Sequence, residues 1–172
     1  MRKIVFLLVV TLVSSCNAIK VNYDYDKEVD FSDYTTYNYY PEMQTGLSEL
    51  DTKRLLDAVD AEMQAKGIQL TEEPDFFINI ESNSFQKPRN NSVGVGLGGL
   101  GRSVGGGVSV GIPVGSPKME RQIRFDFVDN EKDKLFWQSE SQSPFKENVS
   151  PEERDENLRN LAAKVFEKYP PE

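Results

Sequence analysis

Residues 119–128 read MERQIRFDFV, and this run decides the fold: Ile123, Phe125 and Phe127 fall on one side of an extended chain. A polar turn, Asp129 to Lys134, leads into Leu135 to Ser141, where Leu135 and Trp137 are expected to share a face. Together the two runs read as a β-hairpin. Just beyond, Ser150-Pro151-Glu152-Glu153 combines an N-cap residue, proline at the first helical position and glutamate at the third. Leu158, Leu161, Ala162, Val165, Phe166 and Tyr169 follow at helical spacing until Pro170 stops the helix.

Moving back along the chain, Phe76 to Phe85 reads as a strand with Phe76, Ile78 and Ile80 on one side. Before it, Ser48 is an N-cap with Glu49 and Asp51 in the first turn. Leu55, Leu56, Val59 and Met63 then share a face, and Gly67 terminates the helix. Val21 to Tyr25 and Tyr34 to Tyr40 are rich in aromatic and β-branched residues and read as strands. The order β-β-α-β-insert-β-β-α gives an α+β fold, expected as an antiparallel sheet covered on one face by two helices in a two-layer sandwich. Residues 31–172 make one domain, and 16–30 form a tether and a short first strand.

Ten of the 12 glycines lie between Gly94 and Gly115, so residues 93–116 form a distinct Gly-rich insert between sheet strands. Gly96 to Gly101 matches the dinucleotide fingerprint G-x-G-x-x-G, but no buried strand precedes it and no helix can follow it, so nucleotide binding is rejected. A long loop or ribbon-like hairpin is the plain reading. The sharper one makes Val93, Val95, Leu97, Val108, Val110 and Ile112 a candidate interaction ribbon, able to lie on a partner's sheet edge or a membrane surface.

The N-terminus carries Arg2 and Lys3, an uncharged run from Ile4 to Val13, then Ser14, Ser15 and Cys16. This has the form of a secretory signal peptide, residues 1–15, and the apolar run is too short for a membrane-spanning helix of roughly 20 residues. Val13-Ser14-Ser15-Cys16 resembles the bacterial lipobox, which places signal cleavage between Ser15 and Cys16 and lipidation, including palmitate, on Cys16. Two or three acyl chains hold a protein essentially permanently, where one holds weakly. Removing Arg2 and Lys3 makes the mature chain two charges more negative than the net −8 of the whole, so acyl chains and not charge must supply membrane attachment. Asn17 after the cysteine, by resemblance to enterobacterial sorting, favours the outer membrane facing the periplasm.

Composition excludes much chemistry. With no histidine and one cysteine, the chain cannot form a Ser-His-Asp triad, a Cys-His dyad, a Cys/His zinc site or an internal disulfide. The acidic balance, 28 Asp and Glu against 20 Lys and Arg, with no basic patch interleaved with aromatics, excludes nucleic acid as a partner. Asp24, Asp26, Glu28 and Asp30, and again Asp129, Glu131 and Asp133 with Glu140, alternate like calcium loops. Val29 and Lys134 stand where such a loop needs glycine, so these read as solvated turn charge. Six of the seven tyrosines crowd between Tyr23 and Tyr40, read as strand packing with a stacking surface for sugar or peptide as the alternative. No catalytic residue, metal ligand or cofactor is expected.

A set of ordered motifs resembles a known family. They are Asp24-Tyr25-Asp26 followed by Asp30 to Tyr37, Lys66-Gly67 followed by Glu73-Pro74-Asp75-Phe76, the Gly-rich insert, Leu135-Phe136-Trp137, and Tyr169-Pro170-Pro171. In this the chain is similar to the bacterial lipoproteins grouped as domain of unknown function 4136. Glu73-Pro74 departs from the family's more frequent Asp-Pro. The resemblance implies an exported, lipid-anchored α+β domain and supplies no catalytic residues.

The functional expectation is a non-enzymatic adaptor or structural module of the cell envelope, partnered with the membrane through Cys16 and with another envelope protein through its sheet face or ribbon. One alternative is a small-molecule or lipid-binding module using a groove between sheet and helices, and a packed core would count against it. The other is a carboxylate-dependent hydrolase, which needs two buried acids with raised pKa values facing a cleft.

Overall fold

The computed structural model describes residues 19–87, 92–94, 111–113 and 119–171. The signal segment, Cys16 and, within the insert, Val95, Leu97, Val108 and Val110 lie outside the described residues. Among the described residues, eight strands and two helices follow in order. They are β1 (Lys20–Tyr25), β2 (Thr36–Tyr39), α1 (Glu49–Ala65), β3 (Gln69–Leu70), β4 (Phe76–Gln86), β5 (Ser92–Gly94), β6 (Gly111–Pro113), β7 (Met119–Asp129), β8 (Lys134–Phe145) and α2 (Pro151–Phe166). A 3-10 turn, Phe31–Asp33, separates β1 from β2. Strands β5 and β6 pair antiparallel with Val93 opposite Ile112, apart from the main sheet.

The main sheet has six strands in the order β1-β8-β7-β4-β2-β3, and it is mixed, not antiparallel. Strands β1, β8, β7 and β4 alternate in direction, but β2 runs parallel to both β4 and β3. The cause is the helix between them: α1 carries the chain across the sheet face, so the strands that follow it run alongside β2 in the same sense. The apolar pattern of a four-residue strand fixes which face is buried and says nothing about the direction of its neighbours.

Both helices begin where the sequence places them, with Ser48 Oγ accepting from Asp51 N and Ser150 Oγ from Glu153 N, each at 3.2 Å. At the end of α1, Gly67 N–H donates to Gln64 O and Ile68 N–H to Met63 O, and Gly67 takes φ +81° as such a terminus requires. The helices pack against each other on one face of the sheet. A carboxylate links them: Asp51, nearly fully buried, receives Arg54 at 2.9 Å from its own helix and Arg154 at 3.0 Å from α2.

Between helices and sheet lies an aromatic core. Phe127 is fully buried, with ring centroids of Trp137, Phe76 and Tyr169 at 4.6, 4.9 and 5.0 Å. Leu135 and Trp137 do not share a face as the alternation predicts. Trp137 pairs with Phe127 and Leu135 with Val128, so Phe136 is an extra bulged residue. Phe136 and Trp137 are both buried, and Leu135 is 45% exposed.

Candidate functional site

Strand alternation sends every second residue of β4, β7 and β8 away from the helices, and no element covers that face among the described residues. The register then sets out two polar rows across four strands. Asp24 lies opposite Gln138, Gln138 opposite Asp126, and Asp126 opposite Asn79. In the next row Asn22, Glu140, Arg124 and Glu81 follow one another in the same way.

A wall rises beside these rows. Strand β2 pairs with β4 only as far as Ile78, and beyond it the chain from Tyr40 to Leu47 takes over the exposed edge of β4. Ile80 N–H donates to Met43 Sδ at 3.2 Å and Ser82 N–H to Thr45 O at 2.7 Å. The approach is close at Gly46, where φ is +71° and a Cβ would stand 2.5 Å from Ser82 O. Wall and rows enclose an open concavity of about 1020 Å³, lined by Tyr40, Glu42, Met43, Glu81, Arg124, Asp126, Val128, Leu135 and Gln138 among others. The Tyr40 ring rests against Phe77, centroids 5.1 Å apart, which fixes the wall's base on the sheet.

At the centre, Arg124 Nη2 donates to Glu81 Oε2 at 2.6 Å, and its Nε lies 3.2 Å from Asp126 Oδ2 without the alignment of a hydrogen bond. Asp126 Oδ1 is buried with no partner. Burial raises the Asp126 carboxyl above its ordinary pKa, against the pull of the Arg124 charge and the neighbouring Asn79. Glu81 is more than half exposed, and the guanidinium stands between the two acids, so they do not form a pair that could share a water as a glycosidase pair does.

Three of the acids singled out by calcium-like spacing, Asp26, Asp30 and Asp129, are engaged in local structure. Asp129 accepts from Tyr34 Oη at 2.6 Å and from the amides of Glu131 and Lys132, which closes the β7–β8 turn. Asp30 holds the 3-10 turn through Ser32, and Asp26 pairs with Lys134. Glu140 points to the open face. Among the described residues no group of three or more Asp, Glu, His or Cys is placed to hold a metal ion. The tyrosine cluster divides between elements: Tyr37 and Tyr39 both donate to Asp60 on α1, at 2.6 and 2.7 Å, and Tyr34 stacks on Phe136 with centroids 4.0 Å apart.

The groove expected between sheet and helices is filled. Trp137, Phe125, Phe127 and Phe166 pack there, and the space left at its end, beside Arg121 and Phe145, is about 60 Å³. The concavity lies on the opposite face. Its central residues, Asn79, Glu81, Arg124, Asp126 and Gln138, were not singled out from the sequence, where each is one outward position in an alternating strand. The register, which sequence does not give, collects them.

Several described residues of the ordered motifs sit in the core beneath this face or at the strand ends. Phe31 packs against Tyr25, Phe136 and Tyr169. Asp75 Oδ2 accepts from the amides of Thr35 and Thr36, at 2.8 Å each, and so fixes the entry to β2. Trp137 and Tyr169 meet in the core at 5.1 Å.

Among solved structures, the chain is similar to a PDZ domain protein from Parabacteroides distasonis ATCC 8503, with a TM-score of 0.59 and 14% identity. That match covers 99% of this chain and 40% of the other, so the chain spans less than half of that protein's length. At this identity the likeness is one of fold. Two structures of a PelC dodecamer from Paraburkholderia phytofirmans match at a TM-score of 0.49 and 9% identity, covering 87% of this chain and 95% of theirs. No curated protein matches. A family model described as "Domain of unknown function (DUF4136)" matches residues 21–171, which include every strand of the main sheet except the first residue of β1, and the chain belongs to that family.

Proposed function

We propose that this protein is a lipid-tethered module of the cell envelope, without catalytic activity of its own, that binds another envelope component through the open face of its sheet. The acyl chains on Cys16 would hold it to the outer membrane, facing the periplasm. One observation carries the reading: the two faces of a single sheet are treated in opposite ways. Both helices and the aromatic core seal one, while the other presents a walled polar concavity of about 1020 Å³. A tether at the N-terminus and a polar sheet face that no described element covers suit presentation better than turnover, and the chain supplies no histidine for acid–base work. Small-molecule binding between sheet and helices loses support, because that layer is packed.

Two experiments test the two halves. Cys16→Ala should abolish acylation and leave the protein unprocessed or soluble; unchanged acylation and membrane fractionation would remove the tether from the reading. For the face, a photo-crosslinking amino acid placed at Gln138 in intact cells should yield a discrete adduct that the same group at Leu50, exposed on α1, does not. Adducts equal at both positions, or confined to Leu50, would move the binding surface off the sheet.

A further inference from the structure

We propose that the concavity on the open face receives a basic side chain, lysine or arginine, presented by a partner protein, with Asp126 as its carboxylate anchor. This rests on the open-face reading and names the partner's chemistry. Charge balance is the first argument. Glu42, Glu81 and Asp126 line the concavity against one cation, Arg124. Arg124 is engaged by Glu81 and lies against Asp126 Oδ2, so negative charge remains in excess.

An acceptor in the concavity is also left unmet. Asp126 Oδ1 is buried and receives no hydrogen bond, and Oδ2 meets Arg124 Nε only at 3.2 Å without alignment, so the carboxylate is under-satisfied while 15% of its side chain stays open to an incoming donor. A charged donor satisfies it best, since N–H bonds to an ionised carboxylate are the strong ones. Burial holds the pKa of this carboxyl above its ordinary value even with the Arg124 charge beside it.

The walls supply the third argument. Leu135 and Val128 offer aliphatic surface for the methylene stem of a lysine or arginine, and the Tyr40 ring offers a π face for its head. Leu135 is among the exposed large hydrophobic residues of the chain, which such a stem would cover. An anionic ligand meets three carboxylates and a guanidinium already held. A neutral glycan could meet the acceptors but would leave the excess acid uncompensated.

The test is an NMR titration of the full ¹⁵N-labelled chain with argininamide and lysinamide, run beside glutamate and chitotriose. The expected result is saturable shifts from the cationic probes at Asn79, Asp126, Leu135 and Gln138, weakened about tenfold or more in Asp126→Asn. Should that variant fold poorly, Glu42→Gln, an exposed acid on the rim, should give a smaller loss in the same direction. Three results would overturn the inference: no saturable shift at these residues, equal affinity in both variants and the parent, or tighter saturation of the same residues by chitotriose or glutamate. If the Gln138 crosslink forms while the cationic probes fail, the open face remains a binding face and only this partner chemistry falls.

Discussion

Strand β7 holds two chemistries in alternate residues. Phe125 and Phe127 point to the helices and are fully buried among aromatic neighbours. Arg124 and Asp126, before and between them, point the other way with side chains 40% and 15% exposed. Both faces leave polar atoms without partners, but of different kinds. Under the helices these are Trp137 Nε1 and Ser139 Oγ, neutral groups; on the open face they are Arg124 Nε and Asp126 Oδ1, which belong to charged groups. A neutral group can be left unpaired at modest cost inside a tight core, whereas a half-desolvated charge is costly and persists where something is gained by it. The inner face therefore explains why the chain folds, and the outer face is where function is to be sought.

The sharpest way to test that division is to cut side chains from each face of the same strand pair. Phe127→Ala removes a ring packed on Trp137, Phe76 and Tyr169 and should cost about 3–5 kcal/mol in urea denaturation. Gln138→Ala, on the adjoining strand's open face, should change stability by no more than about 0.5 kcal/mol. A loss at Gln138 approaching that at Phe127 would mean that the open face is structural as well.

Much of the inner face is legible in the sequence because burial writes a period. Phe76, Ile78 and Ile80, then Ile123, Phe125 and Phe127, declare their side, and Ser48 and Ser150 declare the helix starts by the hydrogen bonds a serine can accept there. Three things were not legible. The parallel run of β2 depends on a crossover, which no local pattern encodes. The bulge at Phe136 depends on pairing with β7, and it turns an expected Leu135/Trp137 face into a Phe136/Trp137 one. Strand β3, with two residues, is too short to show a period. The candidate site is the least legible part, since Asp126 and Arg124 become a site only through the register that brings Glu81, Gln138 and Asn79 beside them, and through a wall contributed from residues 40–47.

That wall gives the next test. Gly46 has positive φ, and any side chain there would collide with the backbone carbonyl of Ser82. Gly46→Ala should cost about 1–3 kcal/mol, combining strain with a displaced loop. Because residues 43–45 also occupy the edge of β4, hydrogen exchange at Ile80 and Ser82 should accelerate in this variant more than at Phe125 on the neighbouring strand. Uniform acceleration would mean that the wall is part of the core and not a separate structure erected on the open face.

The smallest expected effect is the most telling, because it has the opposite sign. Asp126 has a folded-state pKa raised by burial, so the folded state favours its neutral form. The stability this contributes is fully present below the unfolded value of about 4 and is lost as pH rises through the folded value. Asp129 and Asp75 behave in reverse: burial alone would raise them, but hydrogen bonds from Tyr34 and the 131–132 turn, and from Thr35 and Thr36, hold them low, and their contribution is lost on acidification. In Asp126→Asn the terms from those two acids cancel against the parent, which isolates Asp126. The variant should equal the parent well below pH 4 and exceed it by about 0.5 kcal/mol at neutral pH, after the loss of a partly exposed contact with Arg124 is counted. A residue whose removal stabilises the fold is kept for some other reason, the usual mark of a binding or catalytic position. If the variant is less stable at neutral pH, Asp126 is the structural partner of Arg124, and the two faces of the sheet differ in polarity without differing in purpose.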